Sequence, residues 1–118
     1  MAAMTPDELR ELLLSFTASV EGRPFTRHPE ITTFKVSGKV FALARLDDKP
    51  MTVMLKCDPE EAIRLRQEHD AIVGGFNKRH WNYVTIDGSL PDDLIEELIT
   101  DSYDLVVAGL PKSKRPPG

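Results

Sequence analysis

The run Asn77-Lys78-Arg79-His80-Trp81 places an amide, two permanent cations, a histidine and the chain's only tryptophan in five consecutive positions. Lysine and arginine can hold phosphate oxygens without reading sequence, and an aromatic face can stack on an unpaired base for about 1 to 3 kcal/mol. The plain alternative is a solvated turn in which Trp81 packs beneath the chain end. The cluster stands out because the 118-residue chain has a formal net charge of -4, which opposes strong non-specific binding to nucleic acid. Charge is also segregated. Residues 87–104 carry seven carboxylates and no lysine or arginine, whereas residues 23–56 hold seven such cations against three carboxylates.

Other chemistry finds less support in the residue pattern. There is no Gly-x-Ser-x-Gly elbow, phosphate-cradling glycine loop or His-Glu-x-x-His pair. Ser102 with His80 or Asp101 supplies triad residue types, but no sequence context unites them. His28, His69, His80 and Cys57 lack the close spacing of zinc ligands. The acidic sets Asp7, Glu8, Glu11 and Asp92, Asp93, Glu96, Glu97 suit solvated helix faces. One cysteine excludes an internal disulfide, and Cys57 in an apolar run suits a small buried hydrophobe. These features describe a binding module rather than an enzyme, with no cofactor or metal.

Three helix starts frame the candidate site. Proline followed by acidic residues recurs at Thr5-Pro6, Asp58-Pro59 and Leu90-Pro91, as the first turn of a helix favours. Thr5 with Glu8, and Asp58 with Glu61, have capping-box spacing. Leu9, Leu12, Leu13 and Phe16 then form one apolar stripe. Leu94, Ile95, Leu98, Ile99, Leu105, Val106 and Val107 mark a final helical segment, with Asp101-Ser102 as a potential break and Gly109 as its end.

Between the helices, period-two runs at residues 31–36, 39–46, 51–57 and 81–87 predict about four antiparallel strands. Ser37-Gly38 forms the first hairpin turn. The expected fold is α+β, a single antiparallel sheet with the helices packed on one face. A regular hairpin sets Phe34 opposite Phe41 and sends Phe34, Val36, Phe41 and Leu43 into the core. Thr33, Lys35, Ala42, Ala44, Met54, Lys56, Trp81, Tyr83 and Thr85 are then expected on the outer face. The candidate nucleic-acid site is accordingly Lys78, Arg79, His80, Trp81, Tyr83, Lys35, Lys39 and Lys56. An exposed Trp, Tyr and Met ringed by cations would equally suit a protein interface or a homodimer.

The length suits one domain, taken as residues 1–110, followed by a basic, proline-rich tail at 111–118 expected to be mobile. With no leader-like start and no apolar run near the roughly 18 to 20 residues of a membrane span, the expectation is a cytoplasmic protein without membrane contact.

From about Phe34 to Arg115 the chain resembles the MmcQ/YjbR family of small bacterial proteins. The resemblance lies in FKVSGKVFALA, LKCDPEEAIRLR and NKRHWNYVTIDGSLPDDLIEELITDSYDLVVAGLPKSKR, in that order. It implies a fold like that of CyaY and frataxin, an α/β sandwich with a single antiparallel sheet. It also implies double-stranded DNA as a partner, and transfers no catalytic motif. Two segments, Arg23 to Glu30 and Ala71 to Phe76, depart from the common family pattern and are expected to be loops.

Overall fold

The computed structural model describes residues 3–75 and 77–116. Helix α1 (Pro6–Leu14) precedes strands β1 (Ser19–Gly22), β2 (Thr32–Val36), β3 (Lys39–Arg45) and β4 (Met51–Lys56). Helix α2 (Pro59–Glu68), strands β5 (Ile72–Gly74) and β6 (Trp81–Ile86), helix α3 (Asp92–Ala108) and a 3-10 turn (Lys112–Lys114) follow. The fold is α+β. Its sheet has six strands rather than about four, in the order β1-β2-β3-β4-β6-β5, with every neighbouring pair antiparallel. Helix α3 crosses β3 and β4, α2 lies against β5, and α1 lies beside β1.

The helix ends follow local chemistry. Thr5 and Glu8 form the expected capping box: Thr5 Oγ1 accepts from the Glu8 amide at 3.2 Å and Glu8 Oε1 from the Thr5 amide at 2.9 Å. At α2 the box does not form. Asp58 Oδ2 accepts from the Glu60 amide instead, and Glu61 turns along the helix to Arg64, one turn away. Charge-assisted pairing with a neighbouring guanidinium displaces the reciprocal cap. Helix α3 passes through Asp101-Ser102 without a break, because Ser102 is fully buried and bonded into the sheet rather than competing for its own helix.

The hairpin turn forms as expected: Ser37 and Gly38 both have positive φ, 49° and 81°, as a primed two-residue turn requires, and Val36 pairs with Lys39. Two residues on, the register shifts. Lys35 pairs with Val40 but Phe34 with Ala42, leaving Phe41 as an extra residue on β3. This bulge reverses the alternation of faces beyond it. Phe34, Val36 and Phe41 enter the core as expected, but Ala42 and Ala44 join them at full burial, while Leu43 moves to the outer face, paired with Met54. Small alanines let α3 approach closely, and Phe41 fills the adjoining space against Phe16 and Tyr103 at ring separations of 5.8 and 5.3 Å.

The bulge is held from outside the sheet. The β3–β4 register ends at Ala42 and Leu55, and the Ser102 hydroxyl bridges the next two backbone groups. It donates to the Phe41 carbonyl at 2.6 Å and accepts from the Lys56 amide at 2.9 Å.

Two further strands lie at the sheet edges: β5, three residues within a segment expected to be a loop, and β1, four residues in a stretch to which the pattern assigns no element. Beyond α3 the basic segment folds back: Arg115 donates to the carbonyls of Leu110 and Ala108, both at 3.0 Å, and Ser37 donates to the Lys114 carbonyl at 2.5 Å. Pro117 and Gly118 of that tail lie outside the described residues, as does Phe76. No described helix is long and apolar enough to cross a membrane.

Among the described residues Glu21 is the only acidic residue in a strand, and it is bound at 2.7 Å to Arg10 of α1. Carboxylates instead crowd the helical layer. Burial, with Glu97, Asp104 and Glu61 nearby, holds the Asp101 carboxyl above its ordinary range. The folded state therefore binds this proton more tightly than the unfolded chain, and ionising Asp101 destabilises the fold as pH rises through its raised pKa. Asp101→Asn is expected to raise the thermal midpoint at pH 7, with the advantage shrinking as pH falls toward 3.8, the ordinary Asp value. Paired melts across this range test the sign.

Candidate functional site

Strand β6 alternates strictly: Asn82, Val84 and Ile86 are buried toward the helices, and Trp81, Tyr83 and Thr85 are half-buried on the outer face. The same alternation, carried through the registers, assembles two rows there. Val20 pairs with Lys35 and Lys35 with Val40, and Lys56, one position beyond the Ala42–Leu55 pair, pairs with Trp81. Beside this row, Gly22, Thr33, Leu43, Met54, Tyr83 and Val73 pair in sequence across all six strands. Five of the expected site residues thus meet on or beside one surface: Lys35, Lys56, Trp81 and Tyr83 on the strands, with His80 at the entry to β6. Lys39 is exposed at the β2–β3 hairpin, and Lys78 and Arg79 are exposed on the Asn77–His80 turn.

This face is less open than the sequence suggests. Met54 and Thr33 are only 4% and 1% accessible. The chain after β1 covers part of the sheet, with Ile31 beside Leu43, Met54 and Tyr83, and Pro24 beside Thr33 and Lys35. Gly75 closes over the other end. A Cβ at Gly75 would lie 2.8 Å from Met54 Sδ and 3.1 Å from the Trp81 carbonyl, so only glycine fits this approach without displacement.

The cationic turn is a built structure rather than a loose loop. Asn77 organises it: its side-chain oxygen accepts from the Arg79 amide at 3.2 Å, and its carbonyl accepts from the amides of His80 and Trp81 at 3.1 and 2.8 Å. The His80 carbonyl in turn accepts from the Cys57 amide at 2.7 Å, tying the turn to the end of β4. Arg66, one of the functional-site residues the sequence does not reveal, reaches from α2 to the Lys78 carbonyl at 2.7 Å and Asn82 Oδ1 at 2.9 Å. Buried Asn82 then donates to the Ala62 carbonyl at 3.3 Å. The arginine turns Lys78 and Arg79 outward by occupying the inner side of their turn.

Removing that brace leaves two acceptors without their charged donor. Arg66→Ala is expected to cost about 1 to 3 kcal/mol and to speed amide exchange at Arg79, His80 and Trp81 more than in α3. Arg66→Lys, lacking the planar fork, should recover only part of the protection. Hydrogen exchange followed residue by residue checks both outcomes. Arg45, also not singled out beforehand, lies on the outer face opposite Thr52, with its guanidinium 3.5 Å from Glu30. Its i,i+15 partner is invisible to local spacing.

Other groups with chemical potential are engaged elsewhere. The Ser102 hydroxyl is fully buried and bonded to Phe41 and Lys56. Cys57 is half-buried, and its thiol is pushed up to about 11 by burial and by the carboxylates of Glu61, Asp101 and Asp58, so it stays protonated at neutral pH. Among the described residues no three His, Cys, Asp or Glu side chains are grouped to hold a metal ion.

An antiparallel sheet with its helical layer on one side and a cationic, part-aromatic outer face defines the class, and comparison supplies the family. The family model described as YjbR matches residues 14–105, and the chain belongs to the YjbR family. It is 41% identical over 86 residues to the uncharacterised protein YjbR of Escherichia coli strain K12, covering 71% of this chain and 73% of that one. It is 38% identical over 87 residues to the uncharacterised protein YbdF of E. coli O157:H7, covering 71% and 70%. The crystal structure of Deinococcus radiodurans DR2400, described as a DUF419 domain, is similar with a TM-score of 0.87 and 37% identity over 96% of this chain and 86% of that one. A Pseudomonas syringae protein is similar with a TM-score of 0.64 and 27% identity, over 74% of this chain and 86% of that one.

Proposed function

We propose that this domain binds double-stranded DNA weakly and with little sequence preference, through the outer sheet face and the adjoining Asn77–His80 turn. The observation that carries this reading is the sorting of charge. Lys35 and Lys56 lie in the outer row and Arg45, ion-paired with Glu30, is on the same face, while Lys39 is exposed at the hairpin on the side of Val36. The one carboxylate among the described strand residues, Glu21, is on the helical side and paired with Arg10 of α1. Strands β2 and β4 are separated by about 10 Å, two strand spacings, so Lys35 and Lys56 can reach different phosphates. Lys78 and Arg79 extend the cationic line past the sheet edge. Phosphate contacts of this kind set position and affinity but carry no sequence information. Trp81 and Tyr83 supply apolar contact with the sugar and stacking where a base is unpaired.

Reversing Lys78 and Arg79 together to glutamate is expected to weaken duplex binding at least tenfold at low salt. The salt dependence should flatten by roughly 1.8 in log affinity against log salt, since each phosphate contact contributes about 0.9. Both side chains are exposed, so the variant should melt with the parent. Fluorescence anisotropy on a labelled random duplex reads the affinity. An unchanged affinity would remove the turn from the site. Absent DNA binding together with self-association of the parent protein would instead favour this face as a homodimer or partner-protein interface.

A further inference from the structure

The helical layer contains a cleft that the outer sheet face does not use. Helix α3 crosses β3 and β4 while α2 lies against β5, and the space left between them is floored by Leu55 and Val84 and walled by Leu65 and Leu98. Its enclosed volume is about 70 Å³. Sites for small-molecule ligands run to about 300 to 1,000 Å³, and an apolar cavity of roughly 150 Å³ holds a benzene ring. This cleft therefore has room for the end of one aliphatic side chain. Cys57, Glu61 and Asp101 join it to a second, more open recess of about 300 Å³, bordered by Asp104 and by Leu105, which is 36% accessible.

Apart from Lys56, a residue of the outer sheet row, and the ion-paired Arg64, the charged residues lining the cleft are acidic. Arg64 is held by Glu61 at 2.5 Å and Glu68 at 2.9 Å, so its cation is engaged by carboxylates of its own helix and the α2 side stays net negative. On the α3 side Glu97 and Asp101 border the cleft and Asp104 the recess, and among the described residues none of these three has an ion-pair partner. An apolar slot the size of one side chain, beside unpaired carboxylates on one helix, fits the anatomy of an anchor pocket with a charged rim.

We infer that the α2–α3 cleft docks a short basic segment of a partner protein. One leucine-like side chain seats over Leu55 and Val84, and flanking lysine or arginine residues pair with Glu97, Asp101 and Asp104. The negative rim repels nucleic acid, so this surface is separate from the cationic face. The Asp101 carboxyl is raised first by burial and then by repulsion from Glu97, Asp104 and Glu61, and an arriving cation relieves the repulsive part.

Titration of the whole 15N-labelled protein with the peptides acetyl-Arg-Leu-Arg-amide, acetyl-Arg-Gly-Arg-amide and acetyl-Glu-Leu-Glu-amide tests the assignment. Saturable shifts are expected for the first peptide at Cys57, Ala62, Leu65, Val84 and Leu98. The glycine peptide should bind at least fivefold more weakly, and the acidic peptide should leave the spectrum unchanged. Glu97→Gln with Asp101→Asn should weaken the first peptide at least tenfold while preserving the rest of the spectrum. Equal binding of the leucine and glycine peptides would overturn the apolar anchor. Shifts that do not saturate, or that survive the double variant, would overturn the site. Self-association abolished by the double variant would assign the cleft to the Lys112–Arg115 segment of a second copy and overturn the partner-protein reading.

Discussion

Ser102→Ala is expected to destabilise the domain by about 2 to 5 kcal/mol. The hydroxyl is inaccessible to solvent and bonds two backbone groups, the Phe41 carbonyl and the Lys56 amide. Each buried group left unpaired costs about 1 to 3 kcal/mol, and the methyl side chain replaces neither bond. Against a whole-domain stability of roughly 5 to 15 kcal/mol, the loss is large and should lower the thermal midpoint by about 10 °C or more. Thr100→Ala is the matched control, because the Thr100 hydroxyl bonds only the Glu96 carbonyl one turn earlier in its own helix, in an exposed setting. It should change stability by less than about 0.5 kcal/mol. Urea unfolding of both variants reads the difference. A loss below 1 kcal/mol for Ser102→Ala would mean that the bulge is held by other contacts.

The second large effect falls on affinity and concerns the outer-face row. Lys35→Glu with Lys56→Glu is expected to reduce duplex DNA binding by at least 30-fold at low salt, more than reversal of the exposed Lys78 and Arg79 pair. Lys35 and Lys56 are half-buried along their stems and fixed by strand pairing, so they present their ammonium groups with less conformational freedom to lose than residues on a turn. The reversal also places one anion beside Trp81 and a second on β2, in a row that otherwise contains none. Because both side chains reach the outer face, the fold should survive. A circular dichroism melt within a few degrees of the parent makes the affinity loss interpretable, and an affinity within threefold of the parent would exclude the row from the site. Reversal of Lys112 and Lys114, on the 3-10 turn beside the hairpin, provides a charge-matched comparison away from Trp81.

How far the sequence carries this account depends on the range of each interaction. The three helices were legible because their signals lie within one turn: proline starts, the Thr5–Glu8 cap and the Leu9–Leu13 stripe. The four longer strands were legible from alternation. Strands β1 and β5 were not, because three or four residues around Gly22 and Gly74 carry too little pattern, and their extended form depends on pairing with β2 and β6. The bulge at Phe41 was invisible for a related reason, since its partner Ser102 is 61 residues away. That single irregularity reversed the faces assigned to Ala42, Leu43 and Ala44 while leaving Lys35 and Lys56 where a regular hairpin also puts them. Trp81, Tyr83 and the cationic turn were likewise readable as neighbours. Arg66 was not, because its role depends on α2 returning over the turn, and the partial covering of the face by the residues before β2 was equally non-local.

The most direct test of the DNA-binding reading is the salt dependence of binding to a labelled random-sequence duplex, measured by anisotropy with the whole protein. A small site of two to four phosphate contacts predicts a slope between about -1.8 and -3.6 in log affinity against log salt, and roughly a 10- to 150-fold loss of affinity between 50 and 200 mM salt. No binding at low salt, or binding whose affinity does not change with salt, would contradict it.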